Sequence, residues 1–344
     1  MSDTRTGYDQ IDGPRVEFRG GNGSSPAYEG QSYYDLPAIK PSHYAWPIAA
    51  YFFIGGLSSA AQFIATVLDL VGGKEDRPAV RAGRYLAFLG ALVSPLPLIV
   101  DLETPQRWYN MLRIFRPTST MSIGSWALTA FGTFSGLTAV GQAAEDLFGW
   151  VTGRWLARLA SLPAALAGGV VALYTGTLLA ATVLPLWAAA SPFLSSLFAS
   201  SATSTATAAL TLATTPPSTR RRLNWLALLT GAAELFFAVL IERGWRRRQV
   251  AAPLKQRQMG PAWRIGVLGL GILSPLILHG VEALAGRTSP KVSTLAALAA
   301  LAGGFILRAV LVFGGNASAR RPEDYLRLSQ APGVPAASAG RSAR

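Results

Sequence analysis

From Tyr44 onward the chain alternates long apolar runs with short polar segments. A helix needs about 20 apolar residues to cross a hydrocarbon core of about 30 Å. Eight stretches meet or approach that length: 44–70, 83–101, 123–144, 156–186, 192–213, 225–241, 262–284 and 294–313. The runs are continuously apolar, whereas barrel strands would alternate over about 10 residues. The pattern predicts an all-α integral membrane protein with about eight transmembrane helices in a bundle. The fourth run is long enough to be tilted, or broken near Pro185. The fifth is rich in Ala, Ser and Thr and is the weakest of the eight. Small residues recur at helix-packing spacing, as in Gly132 with Gly136 and Gly55 with Ser59, which lets helix backbones approach closely in lipid.

The ends differ in character. Residues 1–43 form a polar, Gly-rich N-terminal segment with six acidic residues, without the basic and apolar regions of a signal peptide. The eight-helix transmembrane domain occupies 44–315. Residues 316–344 turn to Pro, Ala, Ser and Arg and read as a polar tail, disordered from about Gln330. With eight spans both termini share one side, called side A here. Lys and Arg between the spans or at their ends number 19 on side A and 11 on side B. The positive-inside rule then puts both termini in the cytoplasm.

Composition narrows the chemistry. Thirty-one Lys and Arg outweigh 18 Asp and Glu, for a net charge of +13. Such a charge can mean nucleic acid, but here the basic residues flank long uncharged blocks, so a lipid bilayer is the expected partner and nucleic acid is not. There is no cysteine and only two histidines, His43 and His279. That removes disulfides, Cys-held iron–sulfur clusters and three-His metal sites from this chain. A bis-His haem would have to use both histidines.

An ionisable group within a bilayer costs roughly 2.5–3.5 kcal/mol or more, so each is a functional candidate. Arg308 lies inside the eighth run and reads as a snorkelling or ion-paired cation, with Asp101 at the end of the second run as a candidate partner. Glu234 falls in the middle of the sixth run, either as a hydrogen-bonded core acid or as a proton-relay member. His279 and Glu282 sit three apart on one helical face near side B. Asp69 and Glu145 end spans on that same side. These groups read as an interfacial polar rim or as a point of proton transfer. His43 precedes the first span beside Tyr44 and Trp46, where aromatic residues form an interface belt.

The segment between the second and third runs is dense in Arg, aromatic and hydroxyl groups, from Asp101 through Arg107, Trp108, Arg113, Arg116 and Ser122 to Trp126. A bare connector needs none of them. The segment could dock a partner protein or a ligand head group at the membrane surface.

Here the sequence resembles the NrfD / polysulfide reductase membrane-subunit family. The matching residues are Tyr34-Asp35-Leu36-Pro37, Tyr51-Phe52-Phe53-Ile54-Gly55-Gly56-Leu57, and Asp101-Leu102 with Pro105 and Arg107. They continue with Asn110-Met111-Leu112-Arg113, then Ser119-Thr120-Met121-Ser122 with Gly124-Ser125-Trp126. Leu307-Arg308 and Gly314-Gly315 fit the last helix. The resemblance covers about residues 33–325 and is strongest in the first half. It implies an eight-helix protein of the bacterial cytoplasmic membrane, without haem or an iron–sulfur cluster of its own. Such a protein exchanges electrons between a quinone, menaquinone or ubiquinone, and a ferredoxin-like iron–sulfur subunit. That subunit serves a catalytic subunit, often a molybdopterin enzyme.

In the family a polar residue of the first span touches the quinone head group, and the aligned residue here is Tyr51. A phenol can donate a hydrogen bond to a quinone carbonyl. One turn earlier some relatives carry a polar residue, where this sequence has Ile48. With the resemblance, Tyr51, Asp101, Arg107, Ser122, Trp126 and Arg308 are the expected quinone-binding residues. Glu234, His279 and Glu282 are the expected proton path, and Arg113, Arg116 and Trp108 the expected docking residues. Two other readings stand beside this one. A transporter or permease would use helices broken at Pro95, Pro97, Pro185 or Pro275. It would also explain an echo between Ser94-Pro95-Leu96 and Ser274-Pro275-Leu276. A non-catalytic anchor would only hold partners.

Overall fold

The computed structural model describes residues 39–102, 104–255, 258–321 and 324–325. Tyr34-Asp35-Leu36-Pro37 and the tail from Gln330 lie outside the described residues. Every long element is helical. In sequence order they are α1 Trp46–Val71, α2 Lys74–Val100, α3 Thr120–Phe148, α4 Val151–Ala180, α5 Pro185–Ala213, α6 Pro217–Arg247, α7 Met259–Leu284 and α8 Pro290–Ala319. Six of these are long and apolar enough to cross a membrane. Helices α3 and α5 are as long, 29 residues each, but are diluted with Ser, Thr and Gly. Helix α8 continues to Ala319, four residues into the segment read as tail.

Helix α1 is the central rod, packed against α2, α4, α5 and α8. Its inward face carries small residues and Phe52, which is fully buried. The α3–α4 hairpin turns at Gly149, whose φ of 67° is left-handed and suits glycine. There the Gly149 N–H donates to Glu145 O (3.0 Å) and the Trp150 N–H to Ala144 O (3.4 Å), closing the helix end. At side A, buried indoles tie helices together. Trp187 Nε1 donates to Leu311 O (2.7 Å) and Trp245 Nε1 to Leu186 O (2.8 Å). Asn316 near the end of α8 holds the segment entering α1. It accepts from Ser42 Oγ (2.6 Å) and donates to Tyr44 O (2.7 Å).

Two of the prolines expected to break helices leave the backbone before them helical, and a third follows a break. At Ser94, before Pro95, the backbone stays right-handed helical (φ −62°, ψ −31°). At Ser274, before Pro275, it does so as well (φ −64°, ψ −44°). Proline lacks an N–H and leaves carbonyls one turn back without a donor. In α7, Ser274 Oγ donates to Leu270 O (2.9 Å), and the preceding stretch Ala262–Leu273 widens into a π-helix. The backbone does break at 181–184, and Pro185 then opens α5 at its first turn, where a missing N–H costs nothing. The fifth run therefore begins at Pro185 rather than at Pro192, which lies inside the helix.

The packing glycines are not all the expected ones. Gly132 faces open space. One tight crossing is between α7 and α8, where a Cβ on Gly271 would lie 2.6 Å from the Gly303 Cα.

Candidate functional site

The expected quinone-binding residues do not converge on one place. They divide among three places: a phenol cluster near side A, the loop between α2 and α3, and the middle of the bundle.

The first place is built by α1. Tyr51 lies in the second turn of that helix, and Tyr44 lies two residues ahead of its first residue. Tyr44 stacks on Trp187 with ring centroids 6.0 Å apart, and Tyr51 is buried beside Phe52 at 5.6 Å. Gly55 lies one turn further on, against the Tyr51 ring and Ser94. Tyr174 of α4 interacts electrostatically with both tyrosines, and a methyl on Gly124 of α3 would overlap its ring. Asp101, just after α2, interacts in the same way with Tyr44 and with His43. Burial, and secondarily Asp101, raises the Tyr44 phenol above its ordinary range. Burial also raises the Asp101 carboxyl, with His43 opposing. Ser94 Oγ is buried and has no hydrogen-bond partner among the described residues. Three phenols, a carboxylate and an imidazole thus gather at one end of the bundle. Sequence reasoning missed Tyr174 and Ser94. A lone Tyr inside the fourth apolar run was the available signal for the first.

The loop holds the second group. A 3₁₀ turn, Pro105–Leu112, exposes Arg107, Trp108 and Tyr109. A groove of about 480 Å³ follows, lined by Asn110, Met111, Arg113, Ile114, Arg116 and Met121. Ser122 acts as a staple for this loop: its Oγ accepts from the Arg116 N–H (2.9 Å) and donates to Ile114 O (3.3 Å). Trp126 packs edge-on to Phe115 at 6.2 Å. Ser122 and Trp126 therefore sit with Arg113 and Arg116 at this loop.

The third place is mid-bundle. Arg308 of α8 is buried, with Nη1 donating to Ser201 Oγ (2.5 Å) and Gly304 O (2.9 Å). Its guanidinium lies 5.5 Å over the Phe198 ring. Its acidic partner is Glu234 of α6, not Asp101, and Ser201 and Ser204 of α5 face the Glu234 carboxyl. Phe198, under that guanidinium, also meets Phe52 edge-to-face at 5.7 Å. Arg308 thus faces Glu234 through Ser201.

Toward side B, His279 and Glu282 are both buried, with His279 Nδ1 3.5 Å from Glu282 Oε2. Glu282 accepts from the Ser289 N–H (2.7 Å) and from Ser293 Oγ (3.0 Å). A cavity of about 10 Å³ between α5, α6, α7 and α8 reaches from Ser204 to His279, close to the space one water needs. Asp69 and Glu145 are ion-paired, to Arg84 with Arg158 and to Arg154 respectively. Among the described residues no group of three His, Asp or Glu is placed to hold a metal ion.

These features define a polytopic, all-helical membrane protein with a hydroxyl-rich cluster at one face and a buried arginine and glutamate joined through a serine in its core. The family described as "Polysulphide reductase, NrfD" matches residues 38–319, and the protein belongs to it. A subunit of the polysulfide reductase of Wolinella succinogenes is 28% identical over 303 residues, covering 79% of this sequence and 93% of that subunit.

Proposed function

We propose that this protein is the quinone- or quinol-reactive membrane subunit of a multi-subunit respiratory oxidoreductase. In this reading all eight long helices cross the cytoplasmic membrane and both termini are cytoplasmic. The partners are a ferredoxin-like iron–sulfur subunit and a catalytic subunit, often a molybdopterin enzyme. Membership of the NrfD family supports the class, as does a relative named as one subunit of a polysulfide reductase. The observation that carries the site is the meeting of Tyr44, Tyr51 and Tyr174 beside Asp101 at one end of the bundle.

Quinol oxidation releases two electrons and two protons, so the protein must hold the head group and accept protons. Phenol hydroxyls donate to quinone carbonyls and accept from quinol hydroxyls. Asp101 and His43, at the membrane edge, take up the released protons. Electrons leave to the partner docked at the loop, where Arg113, Arg116 and the exposed Trp108 offer charge and aromatic surface. A separate proton line runs from Glu234 past Ser204 and one water to His279 and Glu282. The aromatic pair Phe52 and Phe198 carries no protons and isolates that line from the quinol.

The test is quinol-dependent electron transfer in the native complex carrying Tyr51→Phe or Tyr174→Phe. Each variant keeps the ring and removes one hydrogen bond, about 0.5–1.5 kcal/mol. A fall of up to about tenfold is expected, with partner co-purification unchanged. Unchanged rates in both variants would take the quinone away from this cluster.

A further inference from the structure

At side B a cavity of about 210 Å³ lies among the ends of α1, α2, α3 and α4. It has no part in the proposed quinone chemistry. Six cations line it: Lys74, Arg77, Arg81, Arg84, Arg154 and Arg158. Three carboxylates answer them. Asp69 binds Arg84 (3.1 Å) and Arg158 (2.9 Å), Glu145 binds Arg154 (2.7 Å), and Asp146 binds Arg81 (2.7 Å). Lys74 and Arg77 have no carboxylate partner among the described residues, so the cavity carries excess positive charge.

Arg84 gives the cavity a built floor. It is 2% exposed, with Nη1 fixed on Gln142 Oε1 (2.7 Å) and Nη2 on Asp69. Its Nε, also buried, has no partner. A buried guanidinium N–H left without an acceptor costs stability unless something fills the place. Arginine forks match phosphate oxygens.

The rim says which phosphate. At the same helix ends, next in sequence to lining residues or a few residues from them, Leu70, Val71, Leu147 and Phe148 are exposed, as are Trp150 and Trp155. The rings of Phe148 and Trp150 lie 5.1 Å apart. Aromatic side chains of this kind sit at head-group depth. A phosphate at this level arrives on a lipid.

We propose that this cavity binds the head-group phosphate of an anionic phospholipid in the side B leaflet, with Lys74, Arg77 and Arg84 as its principal ligands. The lipid neutralises the surplus charge and cements the α1–α2 and α3–α4 hairpins to each other.

The experiment is a lipid titration of the delipidated full-length protein in mild detergent, followed by native mass spectrometry. The probes are phosphatidylglycerol, phosphatidylcholine with the same acyl tails, and inorganic phosphate. Phosphatidylglycerol should bind preferentially. Lys74→Gln/Arg77→Gln, at two exposed positions outside the ion pairs, should weaken that binding about 30-fold and leave phosphatidylcholine unaffected. That factor corresponds to about 2 kcal/mol, at about 1 kcal/mol for each basic side chain near the phosphate. Equal binding of the two lipids, or an unchanged affinity in the double variant, would overturn the proposal. So would full displacement of the lipid by millimolar inorganic phosphate, which would make the site one for free phosphate.

Discussion

Arg308 on α8 and Glu234 on α6 meet through Ser201 of α5, which accepts a hydrogen bond from Arg308 and faces the Glu234 carboxyl. One hydroxyl therefore joins three helices in the middle of the bundle. Both charged side chains are buried, at 1% and 3% exposure, so neither reaches water to offset the loss of the other.

Removing one member should accordingly be worse than removing both. Arg308→Met leaves Glu234 without its cation, and stripping one partner from a buried pair costs about 3–5 kcal/mol. Arg308→Met/Glu234→Leu removes the charge altogether and should melt above Arg308→Met alone. Thermal unfolding in detergent of the two singles and the double completes the cycle. A double variant that loses the sum of the two singles would mean that the side chains do not interact.

The route from Ser204 to His279 gives a second expectation. Its cavity of about 10 Å³ has room for one water if polar groups line it. Ser204→Val removes a hydroxyl and fills the space. Proton uptake at side B, followed with a pH dye in vesicles, should slow while electron transfer to an artificial acceptor continues. Equal proton rates in the variant would show that protons travel elsewhere.

The sequence made the long apolar helices readable because an apolar run of 20 residues has few other uses. Arg308 and Glu234 stood out for the same reason, as charges where none are expected. Their partnership was not readable. Asp101 shares a membrane side with Arg308 in any count along the sequence, but which acid faces it depends on how α6 and α8 are rotated about their axes. Tyr174 and Ser94 were hidden because a hydroxyl hardly perturbs the hydropathy of a long run. Ser122 stood out only through its motif, and its hydrogen bonds to the loop backbone depend on how the loop folds back on α3. The side B cavity was hidden because it needs residues of four helices at once, and each basic residue alone reads as a flank.

Asp101 supplies a pH test. Burial raises its carboxyl above the ordinary 3.8, partly opposed by His43. A carboxyl raised on folding favours the protonated form. Its contribution to stability is complete below the ordinary value and is lost as pH rises through the raised one. Asp101→Asn removes the ionisation, so it should melt higher than the native protein at about pH 8. The difference should shrink as pH falls toward about 4. An Asn variant with the same advantage at both ends of that range would separate the effect from the ionisation of Asp101.

Two glycines in helices should respond oppositely to the same substitution. In an open helical position Gly→Ala gains up to about 1 kcal/mol of helix propensity. Gly132 is such a position, with nothing within 4 Å of an added Cβ, so Gly132→Ala should raise the melting temperature slightly or leave it unchanged. At Gly271 the same methyl would lie 2.6 Å from the Gly303 Cα and 3.1 Å from its carbonyl carbon. The obstacle is backbone, which cannot rotate away, so α7 and α8 must move apart. Overpacking of this kind costs about 1–3 kcal/mol, more than the propensity gain, and Gly271→Ala should melt lower than the native protein. The crossing also carries the packing of α7 against α8 between Arg308 and His279. The Gly271→Ala variant should therefore slow proton uptake as well, while quinol binding at the Tyr51 end stays intact. If Gly271→Ala proves as stable as Gly132→Ala, the helices do not cross as closely as the Gly271–Gly303 approach requires.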